Sequence, residues 1–243
     1  MSPDLRRLNL LRALTGVALL ILMVVGLSAA AHNLSASNAD FIASVDGPAI
    51  PLFVYLGAKH MVTGIDHVLY LLAIVFFLYR PRQVAGLVTL FALGHSLTLI
   101  TGVWFSVRVN PSLIDALIGL SVAYKAFENL GGFAKLHSYL PPVGVAVFGF
   151  GLIHGLGLAT KLQTVYPGGE GLLANLIAFN VGVELGQFLA LGVLLALLYV
   201  WRQQNSFVRW AYLCNFALLV CGFAFTGYHW LDMSLTSFDS FRG

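Results

Sequence analysis

Residues 171–200 read GLLANLIAFNVGVELGQFLALGVLLALLYV, thirty residues with a single formal charge, Glu184, and no proline. About 20 apolar residues suffice to carry a helix across the hydrocarbon core of a bilayer, so this stretch spans with length to spare. Comparable runs lie at 54–79, 84–106, 112–128, 142–160 and 207–231. Turn-forming punctuation separates them: Arg80-Pro81-Arg82, Asn110-Pro111, Gly131-Gly132 through Pro141-Pro142, Pro167-Gly168-Gly169, and Arg202 to Asn205. The 243 residues are 59% hydrophobic and 9% charged, with a mean hydropathy of +0.87. A soluble domain carries about 25% charged residues, so this chain lacks the polar surface of one. The expected fold is an all-α integral membrane protein, a six-helix transmembrane bundle over residues 51–232.

Ahead of the bundle, Arg6, Arg7 and Arg12 precede the apolar run ALTGVALLILMVVGLSAAA at 13–31. This is the pattern of a secretory signal, with cleavage expected after Ala31. An uncleaved run would add a seventh helix. Either way residues 32–50 form a short extracytoplasmic segment and 233–243 an extracytoplasmic tail. Removing 1–31 takes three of the 13 Lys+Arg and one of the 10 Asp+Glu, leaving a net charge of +1 instead of +3. The basicity therefore belongs to targeting and implies no nucleic-acid partner. Basic residues favour the cytoplasmic side. If 54–79 runs inward, Arg80, Arg82, Lys125, Lys135, Arg202 and Arg209 lie inside, against Arg108, Lys161 and Arg242 outside. The expected location is the cell inner membrane, with lipid as the surrounding partner.

Ionisable groups within spans are expensive and invite a functional explanation. Those in question are His60, Asp66, His67, His95, Asp115, His154 and Glu184. His60 and His67 are seven apart and share a helix face, with Gly64 leaving space between them. Asp66 points about 100° from His67, placing it to ligate, to support a neighbouring ligand, or to orient an imidazole. Asn180, Glu184 and Gln187 recur at i, i+4 and i+7 as one polar stripe on an apolar helix. His95 is followed by Ser96 and Thr98. Helix positions put the set in the outer half of the bilayer, with His60 near the outer end of its span. Imidazole and carboxylate together suit divalent first-row metals. Hydrogen bonds between helices explain any one of these residues equally well; six together, His60, Asp66, His67, His95, His154 and Glu184, favour metal.

The remaining polar residues have plainer readings. Lys59, Arg80 and Arg82 anchor at the interface, Lys125 and Glu128 form an ion pair at i, i+3, and His137 is a loop residue. His229 lies by the outer interface beside Tyr228 and Trp230, and neither reading is preferred for it. His32, exposed by cleavage, would offer an amine and an imidazole for chelation. Cys214 and Cys221 sit about 10.5 Å apart along one helix, beyond disulfide reach. Gly151-x-x-x-Gly155 and Gly182-x-x-x-Gly186 allow close helix approach.

Five segments together resemble the HupE/UreJ family of membrane proteins: His60-Met-Val-Thr-Gly-Ile-Asp66-His67, Phe91-Ala-Leu-Gly-His95-Ser-Leu-Thr98, Leu152-Ile-His154-Gly-Leu-Gly157, Phe179-Asn180-Val-Gly-Val-Glu184-Leu-Gly-Gln187 and Ala126-Phe-Glu128-Asn129-Leu. The resemblance covers about residues 50–232. Asp115 stands where the family often has Glu, and Lys125 where a neutral residue is more usual. The resemblance implies hydrogenase- and urease-accessory roles, nickel-binding histidines, and permeation of nickel or cobalt. It implies His60, Asp66, His67, His95, His154 and Glu184 as metal residues, with Asn180, Gln187 and Asp115 as supporting polar groups. Zinc and copper also suit such ligands, and metalloenzyme maturation proteins are implied partners. The expected function is a divalent-metal permease open to the periplasmic side, and not an enzyme. Two alternatives are an intramembrane zinc hydrolase with Glu184 as base and a metal-binding accessory protein without flux.

Overall fold

A computed structural model describes residues 47–78, 80–135, 139–165 and 170–240. The expected signal segment 1–31, His32 and His137 lie outside the described residues. Seven helices are present among the described residues, and there are no strands: α1 (Ile50–Thr63), α2 (Ile65–Val75), α3 (Pro81–Trp104), α4 (Pro111–Asn129), α5 (Val143–Val165), α6 (Leu172–Arg202) and α7 (Phe207–Ser240). This is an all-α membrane architecture. Each of the six expected apolar runs is helical, and the last continues nine residues beyond its expected end at 231.

Local chemistry accounts for the helix starts. Pro51, Pro81 and Pro111 occupy the first positions of α1, α3 and α4, where the missing N–H costs no helical bond. Asn110 caps α4, its Oδ1 accepting from the N–H groups of Ser112 (2.9 Å) and Leu113 (3.2 Å). Helices α3, α5, α6 and α7 are each long and apolar enough to cross a membrane, and α1 with α2 meets the same measure only as a pair, bent by 63° at its break. The nineteen residues of α4 are more polar, carrying Asp115, Lys125 and Glu128.

The broken pair is the main departure from the expected single helix over 54–79. Gly64 adopts φ −69° and ψ 108°, extended backbone that interrupts the helical ladder. Its N–H still donates to the His60 carbonyl (2.8 Å), and its own carbonyl accepts from Val68 (3.1 Å), so little is left unpaired at the break. Irregular backbone at membrane depth survives only where protein surrounds it or a cavity is lined by it. Both ends of α2 are accordingly enclosed. At its far end the Arg202 guanidinium donates to the carbonyls of Val75 (2.5 Å) and Phe76 (2.9 Å), and Asn129 donates to that of Ala73 (2.7 Å).

Three helix pairs enclose α2: α1 with α6, α3 with α5, and α4 with α7. Glycine makes each contact close, as lipid provides no hydrophobic drive and backbones must approach for dispersion to act. A Cβ on Gly182 would lie 2.8 Å from the Val54 carbonyl carbon, and one on Gly186 2.9 Å from Ala58 Cα. Gly155 lies against the His95 carbonyl and Gly94 against that of Phe148, joining α3 to α5; Gly119 and Gly222 meet across α4 and α7. Both small-residue motifs read from the sequence lie at such contacts. Outward-facing residues such as Leu185, Phe188, Leu189, Phe216 and Phe223 are exposed, the apolar surface a bilayer covers.

These contacts predict opposite effects for one substitution at two positions of α6. Gly182→Ala should cost about 1–3 kcal/mol by overpacking against α1. Gly192→Ala, whose Cβ meets nothing within 4 Å, should be neutral or stabilising by up to about 1 kcal/mol through helix propensity. Thermal unfolding of the purified protein in detergent measures both.

Candidate metal centre

The break at Gly64 puts two of the sequence-selected histidines on adjoining helix ends. His60 lies in the last turn of α1 and Asp66 in the first turn of α2. The carbonyls closing α1 carry partial negative charge toward this point. Asp66 offsets the opposite polarity that opens α2. No side chain fits at position 64: a Cβ there would come within 2.8 Å of His67 Nδ1 and 3.0 Å of Asp66 Oδ1.

The α3–α5 pair delivers the other two imidazoles. Thr98 Oγ1 donates to the Leu152 carbonyl (2.7 Å), and Gly155 admits the His95 backbone, so His95 and His154 are held beside one another's helices. The ring centres of His60 and His67 are 4.8 Å apart, those of His67 and His154 5.2 Å, and those of His67 and His95 5.9 Å. Phe91 stacks along His95 and meets His154 edge-on at 5.0 Å. His67, His95 and His154 are 3%, 0% and 1% exposed, whereas His60 and Asp66 are partly open.

Hydrogen bonds define which nitrogens face inward. A carbonyl can only accept, so His154 Nδ1 carries the proton given to Phe150 O (2.7 Å). His67 Nδ1 faces the Asp66 carboxylate at 3.0 Å and in the same way donates to it. Both Nε2 atoms then present lone pairs. The Nε2 atoms of His60, His67, His95 and His154 are all buried without a protein partner, as is His95 Nδ1. Buried polar atoms normally find partners, so this set of unpartnered ring nitrogens, with those of His67 and His154 fixed as acceptors, fits a cation. One ligand nitrogen from each of His60, His67 and His95 lies within 4.8 Å of the others, close enough for one ion to draw them together. His154 adjoins this trio through His67.

The model for HupE / UreJ protein matches residues 36–231. The chain belongs to the HupE/UreJ family. Comparison with curated proteins and with solved structures gives no match. The HupE/UreJ family is associated with nickel or cobalt uptake and with accessory roles, and in this member three histidines are close enough together to hold a metal ion.

Not every sequence-selected residue arrives at the cluster. Asp66 stands behind His67 as its hydrogen-bond acceptor. Glu184 is exposed and is not brought into the group. Gly182 and Gly186, two residues to either side, face α1, which turns Glu184 to the opposite side of α6. The stripe of Asn180, Glu184 and Gln187 straddles the burial boundary: Gln187 is inside and donates to Val88 O (3.0 Å), and Asn180 donates to Leu176 O (2.9 Å). Asp115 belongs to a separate group, binding Lys161 through both oxygens (2.8 and 2.9 Å) with His229 3.9 Å away. Lys125 and Glu128 pair at 2.8 Å, the contact read from their spacing.

Because α1 begins at Ile50, His60 lies about 15 Å along it, near the middle of the α1–α2 pair. His95 and His154 likewise stand near mid-helix. Two features at the cluster were unread in the sequence: Tyr70, one turn beyond His67, and the Thr98 bridge. The i, i+3 spacing was the available signal for Tyr70. The bridge has none, since a hydroxyl one turn past a histidine serves its own helix equally well.

Asp66→Asn should leave the imidazoles in place yet weaken metal binding about 10–100-fold, as loss of an orienting carboxylate does elsewhere. Glu184→Gln should leave affinity unchanged. Competition titration of Co2+ against a chelator in detergent measures both.

Proposed function

We propose that this HupE/UreJ member is an inner-membrane permease for a divalent transition metal, nickel or cobalt before zinc or copper. The ion is taken as cargo by His60, His67 and His95, with Asp66 orienting His67 and His154 as the next ligand. The observation carrying this reading is the set of buried, unpartnered Nε2 atoms, one from each of four histidines on α1, α2, α3 and α5. Conduction needs ligands that replace water but release the ion, which several neighbouring imidazoles achieve better than one tight cage. Entry is read as periplasmic, through the partly open His60 and Asp66, in the orientation that the basic residues favour. Residues 1–31 are read as a signal peptide or first helix, and metalloenzyme maturation proteins as recipients of the metal.

The placement of Glu184 counts against the hydrolase alternative, because its base would stand on the outside of α6. A non-transporting accessory role shares the same binding site and differs in flux alone. Cellular accumulation of Ni2+ and Co2+, measured by elemental analysis, separates the two. The wild-type chain should raise accumulation, and His67→Ala or His95→Ala should return it to the level of cells lacking the protein. Accumulation undisturbed by both substitutions would overturn the permease reading.

A further inference from the structure

One turn beyond His67, Tyr70 occupies the same face of α2, about 4.5 Å further toward its C-terminal end. It is 0% exposed. Its ring lies 5.5 Å from that of His154 and 5.3 Å from that of Phe91. Its hydroxyl is buried without a protein partner, an expensive state for a group able both to donate and to accept. The open His154 Nε2 belongs to the adjacent ring, so two unpartnered polar atoms lie on neighbouring side chains at the inward limit of the cluster.

Beyond Tyr70 the aromatic contacts continue in one direction. Phe150 meets Tyr70 edge-on at 5.7 Å, and Tyr124 meets Phe150 at 5.4 Å. Tyr124 in turn lines a cavity of about 250 Å³ with Glu128, Leu140, Pro142, Val143 and Ala146. This cavity sits where α4 ends and α5 begins. That is the end of the bundle reached by the C-terminus of α2, as the bond from Asn129 to Ala73 O shows. Glu128, its carboxylate, is held by Lys125 at 2.8 Å. The histidine cluster and the cavity are therefore separated by Tyr70, Phe150 and Tyr124.

We propose that Tyr70 and Glu128 line the route between the histidine cluster and the inner end of the bundle, with the Tyr70 hydroxyl as a transient oxygen ligand for a divalent cation passing between His154 and the Glu128 cavity. The inference rests on the permease reading and adds the residues of its second half. In the conformation described the three rings close the route. Rotation of Tyr70 and Phe150 opens it, and the Tyr70 hydroxyl offers oxygen between the histidines and the cavity that Tyr124 and Glu128 line. Lys125 holds the Glu128 carboxylate until a cation competes for it.

The test uses the full-length protein in proteoliposomes, with Co2+ as the probe. Binding at the cluster is read from the visible spectrum of Co2+, and flux from an entrapped metal indicator. Tyr70→Phe keeps the ring and removes the oxygen. It should preserve the Co2+ spectrum and affinity, and it should lower the maximal flux about tenfold at unchanged half-saturation, the scale of one lost polar interaction. Glu128→Gln combined with Lys125→Gln, which avoids leaving a lone buried ammonium, should do the same. Flux equal to wild type in either variant overturns the proposal for that residue. Parallel loss of Co2+ binding and flux in Tyr70→Phe also overturns it, by making the hydroxyl a support of the cluster. A wild-type protein that binds Co2+ without moving it removes the permease reading, and this inference with it, in the wild-type arm alone.

Discussion

Backbone polar groups cannot be left open in hydrocarbon, and that constraint organises this molecule because one of its helices is broken. The break at Gly64 exposes an extended residue and two helix ends at mid-span. Lipid would penalise each unpaired group by several kcal/mol. The remaining helices therefore close around the break. Short hydrogen bonds at Gly64 satisfy the backbone locally, Arg202 and Asn129 satisfy the far end of α2, and three glycine-lined pairs surround it. What results is a small polar interior within an apolar bundle. That interior is where the histidines are.

The glycines connect packing to chemistry. Gly155 lies against the His95 backbone, while Gly57, Gly182 and Gly186 let α6 run along α1 up to the turn that carries His60. Side chains at these positions would push the helices apart and separate nitrogens that one ion must reach together. Thr98 works in the same direction by tying α3 to α5 next to His95 and His154. The imidazoles are positioned by backbone contacts made elsewhere, and the site contains few hydrogen bonds of its own. Its geometry is therefore set before any ion arrives, which lowers the cost of ordering on binding.

Much of this was readable from residues alone. Long apolar runs and proline punctuation located all six helical segments, because hydrocarbon thickness leaves few alternatives for such lengths. His60, His67, His95 and His154 were identified by the expense of burying imidazole, and the structure brings them together. Glu184 passed the same test yet faces outward, since periodicity shows that Asn180, Glu184 and Gln187 share a stripe but not which edge of it is buried. Only the glycines two residues away settle that, and their partner helix is not visible in one sequence. The break at Gly64 was missed for a related reason. A glycine within an apolar run reads equally as space for a neighbour or as a hinge, and the choice depends on what surrounds it.

Charge bears on what the cluster can do with an ion. A divalent cation brings two positive charges into a region where the imidazoles, as neutral ligands, contribute none. Among the described residues, Asp66 is the carboxylate paired with a site histidine; Asp115 and Glu128 are each engaged by a lysine. One negative charge and the carbonyl end of α1 therefore face two positive ones. Neutral imidazoles can hold a divalent ion, with part of the remaining charge met by a bound hydroxide or another anion. Here the imbalance persists while the nitrogens remain well placed, so binding is geometrically favoured and electrostatically incomplete. The excess positive charge raises the acidity of any water on such an ion and favours an anionic co-ligand beside the imidazoles.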